Sequence, residues 1–218
     1  MSESKINFYL NDKQVEANHD ETIWQVANRV GTEIPHLCYS DKPGYRADGN
    51  CRACMVEIEG ERVLAASCVR KPSSDMKVQT TSDKAKKSRE LVFELLLADQ
   101  PERDVAHDNN SHFWNWIDKV DVKENRFPKK TPCQPDTSHP SMAVNLDACI
   151  QCNLCVRACR EVQVNDVIGM AYRGENSKIV FDFDDPMGDS SCVACGECVQ
   201  ACPTGALMPA TLVNEKGV

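Results

Sequence analysis

The 218-residue sequence is poor in aromatic residues, at 6%, and has no excess of positive charge: Lys and Arg total 25 against 33 Asp and Glu, a formal net charge of −8. That balance argues against a nucleic-acid surface, because phosphate contact needs a density of Lys and Arg. No apolar run approaches the ~18 residues that would suggest a membrane span. The opening stretch, MSESKINFYL, has neither the basic region nor the apolar stretch of a secretory signal. The expectation is a cytoplasmic chain with no membrane and no nucleic-acid partner. There is no G-x-G-x-x-G, P-loop, HExxH or GxSxG pattern, so dinucleotide, nucleotide, zinc-protease and serine-hydrolase chemistry have no foothold.

What is present is cysteine, thirteen of them. In an intracellular chain that density points to metal or redox work, and an odd number cannot all pair internally. Eight form an internal repeat. ACIQCNLCVRAC places Cys149, Cys152, Cys155 and Cys159 at C-x2-C-x2-C-x3-C, and SCVACGECVQAC repeats the offsets at Cys192, Cys195, Cys198 and Cys202. In two-cluster ferredoxins, three cysteines of such a run wrap one cube of iron and sulfide while the fourth ligates the other cube. The spacing therefore assigns one [4Fe–4S] cluster to Cys149, Cys152, Cys155 and Cys202, and a second to Cys192, Cys195, Cys198 and Cys159. Pro203 follows the second run; Arg160 stands in the corresponding place of the first, where proline would shape the chain without binding iron. Zinc sites of four thiolates usually come as separated CxxC pairs, and cysteines this close on one loop mostly miss disulfide geometry.

Four further cysteines, Cys38, Cys51, Cys54 and Cys68, match a [2Fe–2S] pattern only in part, because the first gap is longer than in plant-type ferredoxins. On spacing alone a zinc site of four cysteines remains the competing reading. Gly44 and Gly49 fall where the backbone must approach sulfide closely and adopt φ > 0. A Rieske centre is excluded because no C-x-H pair exists, which leaves His36 as a local hydrogen-bonding residue. Cys133, in TPCQP, is left over as a free thiol. Phe113, Trp114 and Trp116 read as packing residues, Arg52, Arg157 and Arg160 as mostly solvated neighbours of ligands, and DFDDP as a hairpin end.

The element pattern is α+β. INFYL and KQVEA form a hairpin about Asn11-Asp12, a helix runs from Thr22 to Val30, and Met55–Ile58 and 62–65 make a second hairpin. With a last strand over 76–80, this order suits a β-grasp domain over residues 1–82. A helix opens after Ser82, with Leu91, Val92, Leu95 and Leu96 on one face, and Pro101 ends it. His112–Val120 reads as another helix, and 121–144 as an irregular crossing, so 83–140 forms a linker. Residues 141–218 hold the two-cluster ferredoxin domain, with a hairpin of 167–172 and 178–183 and a loose tail after Pro209.

The segments IPHLCYSDKPGYRADGNCRACMVEIEGERVLAASC, LLLADQPERDVAHD, NLDACIQCNLCVRACREVQVNDVIGMAYRG and FDFDDPMGDSSCVACGECVQACPTGALMPA carry a family likeness over nearly the whole chain. It resembles the N-terminal iron–sulfur region of the alpha subunit of cytoplasmic NAD-dependent molybdenum or tungsten formate dehydrogenases. More distantly it is similar to the iron–sulfur subunit of respiratory NADH dehydrogenase and the small diaphorase subunit of NAD-reducing hydrogenase. The resemblance implies that Cys38, Cys51, Cys54 and Cys68 hold a [2Fe–2S] cluster. It implies an electron relay between a molybdopterin-containing catalytic subunit and a flavin/NAD-binding subunit. Relatives often carry an extra cluster with one His and three Cys ligands; His107 stands in its place, but DNNSHFWNWI offers no cysteine, so that cluster is expected to be absent. The sequence holds no pterin site and no substrate residue, and no catalytic site of its own is expected. A relay for a hydrogenase or another NAD-linked oxidoreductase, and a zinc-stabilised interaction module, are the alternatives.

Overall fold

The computed structural model describes residues 5–122, 125–129 and 131–216. β1 (Ile6–Leu10) and β2 (Lys13–Ala17) pair antiparallel across Asn11 and Asp12, both left-handed at φ 49° and 65°. Two such residues in a two-residue loop match the twist of a hairpin, and Asn and Asp tolerate that conformation. The turn is also tied down: Asn11 Nδ2 donates to Thr80 Oγ1 and Thr80 N–H to Asn11 Oδ1, each at 2.8 Å. α1 (Ile23–Arg29) starts with a full capping box, the Thr22 hydroxyl accepting from Gln25 N–H and the Gln25 side chain accepting from Thr22 N–H.

β3 (Met55–Ile58), β4 (Ala65–Ala66) and β5 (Lys77–Gln79) complete a five-stranded sheet of order β2-β1-β5-β3-β4, in which β5 runs parallel to β1 and antiparallel to β3. The return strand expected over 62–65 is shorter and lies later, because Met55 pairs with Ala66 and Ser67 N–H closes on the Cys54 carbonyl. Alternate residues point to one face. Phe8, Leu10, Val56, Ile58 and Val78 meet Ile23, Val26 and Ala27 of α1 in one core.

α2 (Asp83–Ala98) is capped by the Ser82 hydroxyl. Its buried stripe is Ala85, Arg89, Phe93, Glu94 and Ala98; the Leu91, Val92, Leu95, Leu96 face expected from hydrophobicity is at best half-buried, and Leu95 is 49% exposed. The helix is rotated because Arg89 is used as an internal donor. Its guanidinium bonds the Met55 carbonyl at 2.8–2.9 Å and the Thr80 carbonyl at 2.7 Å, closing the end of the sheet. α3 (His112–Val120) buries Phe113, Trp114 and Trp116 as packing residues in a core shared with Phe93, Leu37 and Ala53. It reaches the last third of the chain through Phe113 N–H on the Pro203 carbonyl at 2.9 Å.

Part of the irregular crossing expected over 121–144 lies outside the described residues; its end forms β6 (Met142–Val144). β6 pairs antiparallel with β9 (Leu207–Pro209), and β7 (Ile168–Ala171) with β8 (Lys178–Phe181). The DFDDP segment turns at the end of β8, leaving Phe183 97% exposed. Between the strands lie α4 (Leu154–Arg157), which runs on into a π-helical turn at Ala158–Val162, and α5 (Glu197–Ala201). The tail is not loose: α6 (Ala210–Lys216) sets Val213 against Ala143 and Met208, which gives it an apolar anchor. None of the described helices is long and apolar enough to cross a membrane.

Phe93 is 0% exposed and 6.2 Å from Phe113, ring centre to ring centre. Phe93→Ala is expected to lower stability by about 3–5 kcal/mol, read as a lower midpoint in urea unfolding.

Candidate metal centres

The two halves of the cysteine repeat share a backbone as well as a spacing. In the first, Gln151 and Asn153 are left-handed, at φ 54° and 64°; in the second, Ala194 and Gly196 are left-handed, at φ 58° and 75°. Each pair brackets the middle cysteine and is followed at once by a short helix, α4 or α5. Such alternation turns successive N–H groups toward one concave side and makes an anion-binding nest. Ala194 N–H donates to Cys192 Sγ at 3.4 Å, and Val167 N–H to Cys159 Sγ at 3.3 Å.

The runs diverge after their fourth cysteine. Pro203 holds Cys202 extended, at φ −71° and ψ 120°, and ends α5. Arg160 imposes no such stop, so Cys159 sits inside the π-helical turn. Both fourth cysteines cross to the other half. Cys149, Cys152, Cys155 and Cys202 line one cavity, closed by Ile179 and Leu207. Burial first, then the charges of Cys152, Cys149 and Cys202, push the Cys155 thiol far up; burial and then Cys202 and Cys149 act likewise on Cys152. Cys198 is pushed up to about 12, by burial and then by Cys192, Cys195 and Cys159. Eight cysteines thus fall into two sets of four. Cys195 is exposed, and Asn165 Nδ2 lies 3.8 Å from its sulfur.

The third set sits at the end of the N-terminal sheet. Cys38, Cys54 and Cys68 are buried and Cys51 half-buried. Gly44 and Gly49 are left-handed, at φ 88° and 66°, as is Arg52 between Cys51 and Cys54, at φ 60°. Cys51 N–H donates to Cys38 Sγ at 3.4 Å and Ala53 N–H to Cys51 Sγ at 3.5 Å. Donation from the Cys51 and Cys68 thiols holds Cys38 well below the usual thiol range, donation from Cys68 lowers Cys54 to about 7, and the donors are pushed up in return. Buried thiolates in groups of four repel one another and are desolvated; only a positive centre among them stabilises full ionisation. Among the described residues no three His, Cys, Asp or Glu side chains converge closely enough to hold a single metal ion. The donor chemistry and the inward N–H groups fit iron–sulfur clusters.

Models of known families match in two places: a 2Fe-2S iron–sulfur cluster binding domain over residues 3–83 and a 4Fe-4S dicluster domain over 148–206. The chain is an iron–sulfur protein joining these two domain types. The iron–sulfur protein is 31% identical over 208 residues to one of the subunits of an NADH-quinone oxidoreductase of Rhizobium meliloti, covering 93% of this chain and 24% of that one. It is 30% identical over 189 residues to a protein of Staphylococcus haemolyticus described as a formate dehydrogenase, covering 85% and 19%. A crystal structure of an NAD+-reducing [NiFe]-hydrogenase in its H2-reduced state superposes with a TM-score of 0.85 at 25% identity, over 94% of this chain and 88% of that one. The iron–sulfur protein therefore spans only a fifth to a quarter of these two curated relatives, and nearly all of the hydrogenase chain. The three groups are those named by the sequence resemblance.

Other residues fall differently from expectation. Cys133 is more than a leftover thiol: its N–H and Sγ meet Asp147 Oδ1 at 2.7 and 3.1 Å. His36 packs against Trp24 and His112, with ring centres at 4.5 and 4.6 Å, and burial lowers its pKa to about 4, so it is neutral. Arg160 is surface-exposed and paired with Asp166. Arg157, read as solvated, is 2% exposed; no sequence signal distinguished it from Arg160.

Gly196→Val places a β-branched residue at φ 75°, and is expected to cost about 1–2 kcal/mol and lower iron loading. Asn153→Gly, at the equivalent position, is expected to leave both unchanged. Iron per chain and thermal unfolding of the anaerobically purified protein measure both.

Proposed function

We propose that the chain is an electron relay of an NAD-dependent formate dehydrogenase, without a catalytic site of its own. In this reading residues 1–82 form a β-grasp [2Fe–2S] domain, 83–140 a linker and 141–218 a two-cluster ferredoxin domain. Cys38, Cys51, Cys54 and Cys68 hold the [2Fe–2S] cluster. Cys149, Cys152, Cys155 and Cys202 hold one [4Fe–4S] cluster, and Cys192, Cys195, Cys198 and Cys159 the other. When bound, each cluster takes up and returns one electron without moving atoms. The protein supplies spacing, N–H donors to sulfur and a low dielectric.

The observation that carries the reading is the crossed grouping of the eight late cysteines, Cys202 with the first run and Cys159 with the second. Against a zinc module stand the C-x2-C-x2-C-x3-C run, present twice, and the matches to iron–sulfur domain models over 3–83 and 148–206. The three sets adjoin one another, Cys38 packing with Cys152 and Cys155 with Cys198. In this reading electrons pass between a molybdopterin-containing catalytic partner and a flavin/NAD-binding partner through the three sites. The formate assignment rests on the sequence segments and on the formate dehydrogenase relative. The alternative, a hydrogenase relay, is favoured by the extent of the hydrogenase superposition.

Anaerobically purified protein is expected to be brown, with about ten irons per chain and little zinc. In complex with its pterin-containing partner, formate is expected to bleach the clusters; reduction by hydrogen and not by formate would move the assignment to a hydrogenase. Cys198→Ser is expected to remove one [4Fe–4S] EPR signal and leave the [2Fe–2S] signal, while Cys133→Ser changes no cluster. A ferrous chelator is expected to strip the site with exposed Cys195 first and the site with buried Cys38, Cys54 and Cys68 last, followed by EPR with time.

A further inference from the structure

One buried side chain has no part in that reading. Arg157 is the largest of the fully buried residues, and it stands midway between Cys155 and Cys159 at the end of α4. Its Nη1 pairs with the Asp48 carboxylate, and its Nη2 donates to the Cys38 carbonyl at 2.7 Å. One planar guanidinium thus ties the backbone of the first cysteine of the N-terminal site, and the loop before Cys51, to the end of the helix that carries Cys155 and runs on to the turn holding Cys159. Lysine could not reproduce this, because the fork holds two acceptors at a fixed angle. The position is costly without its partners: a buried cation left uncompensated is strongly unfavourable, so the pair holds the loop in place.

Other contacts cross the same boundary but constrain it less. Arg46 bonds Glu161 at 2.9 Å, but its side chain is 66% exposed, and such surface pairs contribute little. Asn50 Nδ2 reaches the Cys152 carbonyl only at 3.5 Å. Tyr45 O–H donates to Glu197 Oε1 at 2.8 Å, half-buried, and supports the same docking through a single bond. Leu154, Ile150 and Tyr45 pack with Cys38 and Cys152 and fill the gap with apolar atoms. The width of that gap is set by whatever fixes the loop of residues 44–51.

We propose that Arg157, through Asp48 and the Cys38 carbonyl, is the positioning residue that sets the separation of the [2Fe–2S] site from the neighbouring [4Fe–4S] site and thereby the rate of electron transfer between them. It touches no reacting atom, and the inference rests on the cluster assignment above. The separation matters because transfer between fixed centres falls steeply with distance.

The test uses the full-length, cluster-loaded protein, in wild-type form and as Arg157→Gln, Arg157→Lys and Asp48→Asn. Iron per chain and the individual EPR signals report whether the clusters are present; if the wild type itself lacked them, the relay reading would fail before this one was reached. The magnetic interaction between the reduced [2Fe–2S] and [4Fe–4S] centres, and the rate of electron redistribution after a reducing pulse, report the separation. With clusters retained, Arg157→Gln is expected to weaken the magnetic interaction and slow redistribution by about tenfold or more, with Asp48→Asn changing both in the same direction. Arg157→Lys is expected to recover the charge but not the interaction. An unchanged interaction and rate in cluster-loaded Asp48→Asn and Arg157→Gln would overturn the proposal. So would loss of iron in both variants, which would make the pair a determinant of assembly rather than of spacing.

Discussion

Buried sulfur held in fours is the constraint on which the rest of this structure depends. Cys155 and Cys198 sit among other thiols, and burial together with mutual repulsion keeps them protonated unless positive charge is placed between them. Twelve cysteines gathered in three such groups therefore call for positive charge among each. The left-handed residues at 151, 153, 194 and 196 follow from that requirement, since only that backbone turns N–H groups inward. So do the short helices that start immediately afterward, which carry the third cysteine of each run away from the loop.

The sheet and the two middle helices serve as scaffold for these loops. Asn11 pins the first hairpin to Thr80, Arg89 ties α2 to the carbonyls of Met55 and Thr80, and Phe93 with Phe113 joins α2 to α3. α3 then touches Pro203, and Gln100 Nε2 donates to the Ala148 carbonyl at 3.1 Å. The helical middle is therefore not a passive tether: it bonds backbone next to Cys202 and next to Cys149. Several of these grips fall beside a cysteine: Met55 follows Cys54, Pro203 follows Cys202 and Ala148 precedes Cys149.

How much of this the sequence displays depends on the kind of interaction. The crossed cysteine sets were legible because offsets along a chain translate directly into loop geometry, and the first hairpin and α1 because Asn11-Asp12, Thr22 and Gln25 act over a few residues. The divergence of the two runs at Arg160 and Pro203 was legible as a difference, though not as a π-helical turn. The rotation of α2 was hidden, because a buried arginine satisfied by distant carbonyls outcompetes leucines that periodicity places inside. The helix after Pro209 was hidden because its anchor, Val213, meets Ala143, far back in the chain. Arg157 was hidden for the same reason: its acceptors are more than a hundred residues away, and nothing local separates it from the solvated Arg160.

The central claim is that three distinct sets of four cysteines each surround iron. X-ray diffraction from anaerobic crystals, measured above and below the iron absorption edge, tests it most directly. The account predicts three separate anomalous centres: one among Cys38, Cys51, Cys54 and Cys68, one among Cys149, Cys152, Cys155 and Cys202, and one among Cys192, Cys195, Cys198 and Cys159. Single-ion peaks at the zinc edge in those places, or a site bounded by all four cysteines of one run, would contradict it.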